Sequence, residues 1–194
     1  QYVQIDAPGY TAYVDPPSLA AMKSRGEDPQ LNLARSIKSD NDVIDGLEGI
    51  TFGLHLCRGN ERAIDPITGR VVPQWHREGH YDEIAEQLFT EIHHTRLLLE
   101  YDSDRAGDFR PLRFVPKGKI VVLGLVTTKS IEVEDPDDLI RRIDEASQFI
   151  PIEQLAISPQ CGFSSSLGVS LSGDVQWRKL EVIQEVARRV WGKS

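Results

Sequence analysis

Four residues with metal-binding side chains come at the ends of three separate apolar runs. His55 and Cys57 end the run GITFGLHLC, Glu100 ends RLLLE, and Cys161 follows LAISPQ. Because an ionisable residue after three leucines must be paired, exposed or coordinated, Glu100 does not fit an apolar core. Imidazole, thiolate and carboxylate groups are all ligands of zinc, so the four residues together predict a zinc site.

Each of these residues, taken alone, also has a purely structural interpretation. His55 and Cys57 can be a hydrogen-bonded core histidine beside a small buried thiol, and Cys161 can be a packing residue. Their joint occurrence at three strand ends favours a metal. Structural zinc sites usually draw their ligands from short Cys-x-x-Cys loops, so ligands from three strands favour a catalytic ion. Glu100, the hardest of the four ligands, is the one that we expect to yield to an incoming sulfur.

The elements that position these residues are predicted as strands alternating with helices. The predicted strands are Tyr2–Ile5, Ile50–Leu56, Thr95–Tyr101, Ile120–Thr127 and Gln154–Ile157. The predicted helices are Leu31–Leu47, Asp82–Ile92, Asp135–Phe149 and Ser172–Val190. Strands separated by helices need crossover connections, which indicates a parallel α/β sheet. Such sheets carry their sites at the carboxyl ends of the strands, where all four residues fall.

Composition narrows the classes of protein to which the chain can belong. With 194 residues, 40% of them hydrophobic, the sequence predicts one globular region spanning 1–194. Its net charge of −8 argues against a nucleic-acid or anionic-membrane partner. We see neither an apolar run of membrane-spanning length nor a leader sequence, so we expect a cytoplasmic protein that acts on small molecules.

Five motifs resemble the cobalamin-independent methionine synthases, particularly the shorter homologues that carry only the catalytic barrel. They are, in order, YVQIDAP, GLHLCRGN, LLLEYD, LGLVTTKS and LAISPQCGF, and they cover nearly the whole chain. The resemblance implies a (β/α)₈ barrel of the uroporphyrinogen decarboxylase-like group. It also implies a catalytic Zn²⁺ bound by His55, Cys57, Glu100 and Cys161. In that family zinc binds homocysteine as a thiolate, which takes a methyl group from a methyl-folate, completing methionine synthesis.

The resemblance also implies roles for residues around the metal. Asp6 matches the residue that holds the homocysteine amino group, although Ala7 follows it where the synthases have glutamate. Lys129 stands where the synthases have a histidine that assists the folate leaving group. A lysine supplies charge there, and supplies a proton only if its pKa is lowered by burial or nearby charge. Arg58 is a candidate to bind an anionic group of the substrate, or to form a salt bridge at the rim.

Two other functions remain open at this point. A related zinc enzyme, epoxyalkane:coenzyme M transferase, uses its bound thiolate to open an epoxide, and Arg58 is able to meet the sulfonate of such a thiol. The chain can alternatively be a zinc-stabilised or metal-free binding module without catalysis. Trp75 is interpreted as a packing anchor, and the histidines without ligand spacing are interpreted as surface or helix residues: His76, His80, His93 and His94.

The number of predicted strands is smaller than a complete barrel needs. Five βα units match the later strands of an eight-stranded barrel, whose usual length is about 250 residues. We therefore expect the carboxyl-terminal portion of a (β/α)₈ barrel that lacks its three amino-terminal strands. An open barrel exposes sheet edges, so we expect the missing part to be needed for stability.

Overall fold

The architecture is a parallel sheet whose strands are connected through helices. The computed structural model describes residues 1–59, 61–64, 71–74, 77–163 and 171–192, with the backbone alone described in 61–64 and 71–74. The strands are β1 (Tyr2–Asp6), β2 (Thr51–Leu56), β3 (Glu61–Ile64), β4 (Val71–Gln74), β5 (Arg96–Glu100), β6 (Ile120–Val126) and β7 (Leu155–Pro159). The α-helices are α1 (Pro16–Ser24), α2 (Pro29–Ile44), α3 (Asp82–Glu91), α4 (Pro136–Ser147) and α5 (Gly173–Trp191).

Five strands form one sheet in the order β1-β2-β5-β6-β7, and every neighbouring pair is parallel. The predicted α/β class and the five predicted sheet strands are confirmed, with ends that differ by one or two residues. The four predicted helices are also present. The antiparallel hairpin of β3 and β4 and the helix α1 were not predicted.

The two faces of the sheet have different compositions because side chains alternate along each strand. One face packs against the helices and forms the apolar core. Its members include Leu54, Leu56, Leu97, Leu99, Val121, Leu123 and Leu155 from the strands, with Ile84, Leu88, Ile143 and Val186 from the helices. The strand register places Asp6 beside His55, and Glu100 beside Gly124, on the opposite face. The polar candidates therefore share the face that the helices do not cover.

Capping residues set the starts of the crossover helices. The Asp28 side chain accepts from the amides of Gln30 and Leu31 at the start of α2. Asp135 accepts from the Asp137 amide at 2.7 Å at the start of α4. An aspartate followed by proline is a typical helix start, since proline needs no amide partner in the first turn. These caps fix where each strand-to-helix loop ends, including the loop that carries Lys129.

Two further observations concern the rest of the described chain. None of its helices combines the length and apolar character needed to cross a membrane. The interpretation of His94 as a surface or helix residue is wrong, because the residue precedes β5 and its ring is fully buried against Phe52. Trp75 and His76 lie outside the described residues.

Candidate metal centre

The four predicted ligands form one compact cluster. One ligand atom from each of His55, Cys57, Glu100 and Cys161 can be chosen so that all four lie within 4.8 Å of one another. The two sulfurs are 4.0 Å apart, and His55 Nε2 lies 3.3 Å from Glu100 Oε1. Among the described residues, no other group of three or more histidine, cysteine and acidic side chains is arranged in this way.

The sulfur–sulfur and the His55–Glu100 separations are close to those around a tetrahedral zinc ion. Two sulfurs at about 2.3 Å from zinc lie about 3.8 Å apart, and nitrogen and oxygen ligands at about 2.0–2.1 Å lie about 3.3 Å apart. The observed distances of 4.0 Å and 3.3 Å therefore leave room for the ion with small adjustments. Within the described part of the chain, His55 Nε2 is buried and makes no well-aligned hydrogen bond, although Glu100 Oε1 lies 3.3 Å away, as expected of a nitrogen that faces a metal. The residues present thus fit zinc.

The ends of three strands bring the ligands together. Cys57 follows β2 directly, Glu100 ends β5, and Cys161 lies two residues beyond β7. Gly124 of β6 allows β7 to approach, because a Cβ at this position would lie 2.9 Å from the Gln160 Cα. The glycine therefore permits the chain to deliver Cys161 to the cluster.

Glu100 is fully buried, and both of its carboxylate oxygens accept hydrogen bonds. The Arg58 backbone amide donates to Oε1 at 3.1 Å, and the Arg105 guanidinium donates to Oε2 at 2.7 Å. Oε1 is also the oxygen that faces His55. Glu100 therefore presents one oxygen to the cluster, and the other is held by Arg105.

Asp6 lies behind the His55 ring rather than within the cluster. Its Oδ1 is 3.1 Å from His55 Nδ1, while 60% of its side chain is exposed. A carboxylate at Nδ1 fixes the ring orientation and leaves Nε2 for a metal. Burial lowers the pKa of His55, but the nearby charges of Glu100, Cys161 and Asp6 outweigh this effect and raise it overall.

The two thiols are partly exposed, and their sulfurs contact each other. The contact with Cys161, together with burial and the nearby charge of Glu100, raises the pKa of Cys57. The Cys57 contact lowers the pKa of Cys161 to about 6, with His55 contributing in the same direction. Without a metal, one thiolate therefore forms more readily than two.

Lys129 lies in a buried ion-pair network and not on the solvent-facing rim. Its Nζ is 2.8 Å from Asp102 Oδ2, and Asp102 Oδ1 is 3.5 Å from Arg105, which binds Glu100. The four side chains are at most 5% exposed. Burial lowers the pKa of Lys129, and the opposing charge of Asp102 offsets this effect only in part. Lys129 is thus connected to the candidate ligand Glu100 through two charged residues.

Arg58 is fully buried and lies over the ring of Tyr81 at 4.3 Å. Its Nε donates to the Tyr81 hydroxyl at 3.3 Å, and neither terminal nitrogen has a hydrogen-bond partner within the described part of the chain. The salt bridge considered for Arg58 is not formed with a described residue. Arg58 therefore contributes to the cluster through its backbone amide, which donates to Glu100.

Sequence reasoning missed Asp102, Arg105 and Gly124. The first two lie in the segment YDSDR, directly after β5, and these closely spaced charged residues beyond a buried strand were a usable signal. A cavity of about 200 Å³ opens beside the cluster and is lined by His55, Gln160 and Cys161 among others. The cluster therefore has space next to it for a small group.

Fold and site together define a class: a parallel α/β sheet of the barrel type, with four side chains that could hold a metal ion at the carboxyl ends of its strands. The chain is 39% identical over 194 residues to the protein YxjG of Bacillus subtilis, covering 98% of this chain and 49% of YxjG. It is 25% identical over 163 residues to a methionine synthase of Pyrococcus abyssi, covering 83% of this chain and 36% of that protein. No family model matches the chain.

Structural comparison gives the same relationship. A structure from Listeria monocytogenes, described as a vitamin-B12 independent methionine synthase, aligns with a TM-score of 0.71 at 26% identity, covering 98% of this chain and 48% of that one. The chain is similar in sequence and in fold to cobalamin-independent methionine synthases, as its five motifs predict, and its sheet matches part of their barrel fold. It spans about half the length of the relatives that it matches most fully.

Proposed function

We propose that this chain carries the metal site of a zinc-dependent methyltransferase. In this proposal His55, Cys57, Glu100 and Cys161 hold one Zn²⁺, and a thiol such as homocysteine accepts a methyl group from a methyl-folate donor. The observation that supports it best is the clustering of four possible ligands from three strand ends, in which the sulfur pair and the His55–Glu100 pair have separations close to tetrahedral values. A site placed at strand ends, beside a cavity, suits a substrate better than a closed structural site does.

Zinc, when bound, lowers the pKa of a coordinating thiol so that a thiolate is present at neutral pH. The protein's residues must then hold the remainder of the thiol substrate. Asp6 is suited to this because its side chain is largely exposed while Oδ1 orients His55. Its carboxylate is thus able to accept hydrogen bonds from the ammonium group of an amino-acid thiol.

Lys129 is the proposed catalytic residue for the leaving group. Its buried position beside Asp102 holds a positive charge close to the network that ends at Glu100. A preorganised cation in a water-poor site stabilises negative charge that develops during the reaction. In this proposal Lys129 takes the place of the histidine of the synthases. Its positive charge stabilises the leaving group, and because burial lowers its pKa it also donates a proton.

A second candidate function, in which the thiol opens an epoxide, is equally compatible with Arg58. Its two unpartnered terminal nitrogens, within the described residues, form a fork that fits a carboxylate or a sulfonate. This favours a thiol with an anionic group, which includes both homocysteine and the sulfonate thiols of the epoxide-opening transferases. Assays of several thiols with methyl-folate and with epoxide donors distinguish these two reactions. A chain that is inactive with every combination of thiol and donor supports the binding-module alternative.

The zinc site itself is tested by removing single ligands. Cys57→Ser and Cys161→Ser should each abolish stoichiometric zinc binding, because serine replaces a thiolate by a neutral hydroxyl. Zinc per chain is measured by elemental analysis after dialysis, together with methyl transfer. His93→Gln is the matched control, since this exposed histidine pairs with Asp45 and lies outside the cluster. Zinc retained at one equivalent in both cysteine variants would contradict the ligand assignment.

A further inference from the structure

Arg105 is the residue through which Glu100 is connected to the charged groups around the cluster. Its guanidinium donates to Glu100 Oε2 at 2.7 Å and lies 3.5 Å from Asp102 Oδ1. A further contact, from NH1 to the Gly59 carbonyl oxygen, measures 3.4 Å. The Arg105 side chain is completely buried. Two carboxylates, of Glu100 and Asp102, and the Gly59 carbonyl therefore hold the guanidinium in one position.

These contacts divide the two oxygens of Glu100 between different tasks. Oε2 is occupied by Arg105, whereas Oε1 faces His55 Nε2 at 3.3 Å. The Arg58 amide also donates to Oε1, but an oxygen of a carboxylate has a second lone pair available. Glu100 is therefore arranged to bind an ion through one oxygen only.

The net charge of the cluster also favours a role for a nearby cation. Two thiolates, one carboxylate and a neutral imidazole give a divalent ion one negative charge in excess, and a substrate thiolate that takes the place of Glu100 keeps this excess. Arg105 is the cation in direct contact with this donor set, through Glu100. Lys129 contacts Asp102 instead, so that the order of the network is Lys129, Asp102, Arg105 and Glu100.

We propose that Arg105 is a positioning residue that fixes Glu100 as a one-oxygen ligand and balances the charge of the metal site. The inference rests on the proposed zinc site. Outer residues that hold metal ligands typically change metal affinity by 10–100-fold when they are substituted. Arg105 does not contact the reacting atoms in this proposal and acts through Glu100.

The test compares Arg105→Lys and Arg105→Met with the unsubstituted chain. Zinc affinity is measured by competition with a chelator, and the coordination of Co²⁺, as a substitute for zinc, by its visible absorption. We expect Arg105→Met to weaken zinc binding by about 10–100-fold and to alter the cobalt spectrum. Arg105→Lys keeps the charge but has one nitrogen in place of the two that contact Glu100 and Asp102 on one side and the Gly59 carbonyl on the other, so it should show a smaller loss and a similar spectral change.

Lys179→Met is the matched control. Lys179 is also a fully buried cation, paired with Glu134 at 2.9 Å, and is not part of the cluster. Its loss should lower stability without changing the cobalt spectrum. If Arg105→Met does not fold, Arg105→Lys decides the matter. Unchanged zinc affinity and an unchanged cobalt spectrum in the folded Arg105 variants would overturn this proposal alone, whereas an unsubstituted chain that binds no zinc would overturn the metal site as well.

Discussion

At the scale of single residues, the candidate site consists of one cluster of four side chains and the charged groups that surround it. His55, Cys57, Glu100 and Cys161 stand out because their chemistry is unusual at the end of an apolar strand. Arg105 is an ordinary surface residue by type, and only a short 3₁₀ turn over Asp104–Ala106 directs it inward to Glu100. The alternation of side chains predicts a strand face, but it does not predict the direction of a loop residue.

Lys129 gives the first prediction at this scale. Lys129→Ala should lower turnover by on the order of 10²-fold or more, because it removes a cation placed to stabilise the leaving group. Zinc content should be unchanged, since Lys129 is separated from Glu100 by Asp102 and Arg105. Turnover is measured with saturating thiol and methyl donor, and circular dichroism checks the fold.

Two further variants complete this test. Lys117→Ala, at an exposed lysine, is the control and should retain full turnover. Lys129→His should be more active than Lys129→Ala only if the reaction needs a proton donor at this position. Wild-type turnover in Lys129→Ala would show that the lysine does not take part in the reaction.

At the scale of elements, long runs of apolar residues made the sheet predictable. β6 is apolar over its whole length, and β2 and β5 alternate in a way that fits one buried face. The four-residue strands β3 and β4 give little signal, and Pro73 within VVPQ argues against a strand. Helix α1 contains no fully buried residue, so it lacks the apolar stripe that identifies a helix in a sequence.

Gly124 provides the prediction for the elements. Gly124→Ala should weaken zinc binding and destabilise the chain by about 1–3 kcal/mol, the usual effect of overpacking. The reason is that the new Cβ would lie 2.9 Å from the Gln160 Cα and 3.1 Å from the Leu99 carbonyl oxygen, which displaces the segment that carries Cys161. Urea unfolding and zinc competition are measured together. Gly173→Ala, where a Cβ meets nothing within 4 Å, is the control, and equal behaviour of the two variants would contradict the prediction.

At the scale of the whole molecule, the sheet is open between β1 and β7 within the described residues. Tyr2 and Val3 of β1 are exposed, and an apolar groove of about 670 Å³ lies along β7 and α5, lined by Ile157, Val190 and Trp191 among others. The chain also spans about half of its relatives. These observations support the expectation that the chain is one portion of a barrel, which stays a proposal.

This proposal predicts that the remainder of a relative's barrel stabilises the chain. Adding the part of YxjG that the chain does not match, as a fusion or as a separate polypeptide, should raise the midpoint of thermal unfolding by several degrees, because it covers the exposed edges. Differential scanning calorimetry measures the effect. An unrelated domain of similar size is the control, and an equal midpoint with both additions would argue against barrel completion.

The most direct test of the central claim is X-ray absorption at the zinc edge, before and after homocysteine is added to the zinc-loaded chain. We predict two sulfur ligands at about 2.3 Å and two nitrogen or oxygen ligands at about 2.0 Å in the free protein. Homocysteine should raise the sulfur count to three and reduce the lighter ligands to one, since the substrate thiolate replaces Glu100. A sulfur count that stays at two in the presence of saturating homocysteine would contradict thiol activation by this site.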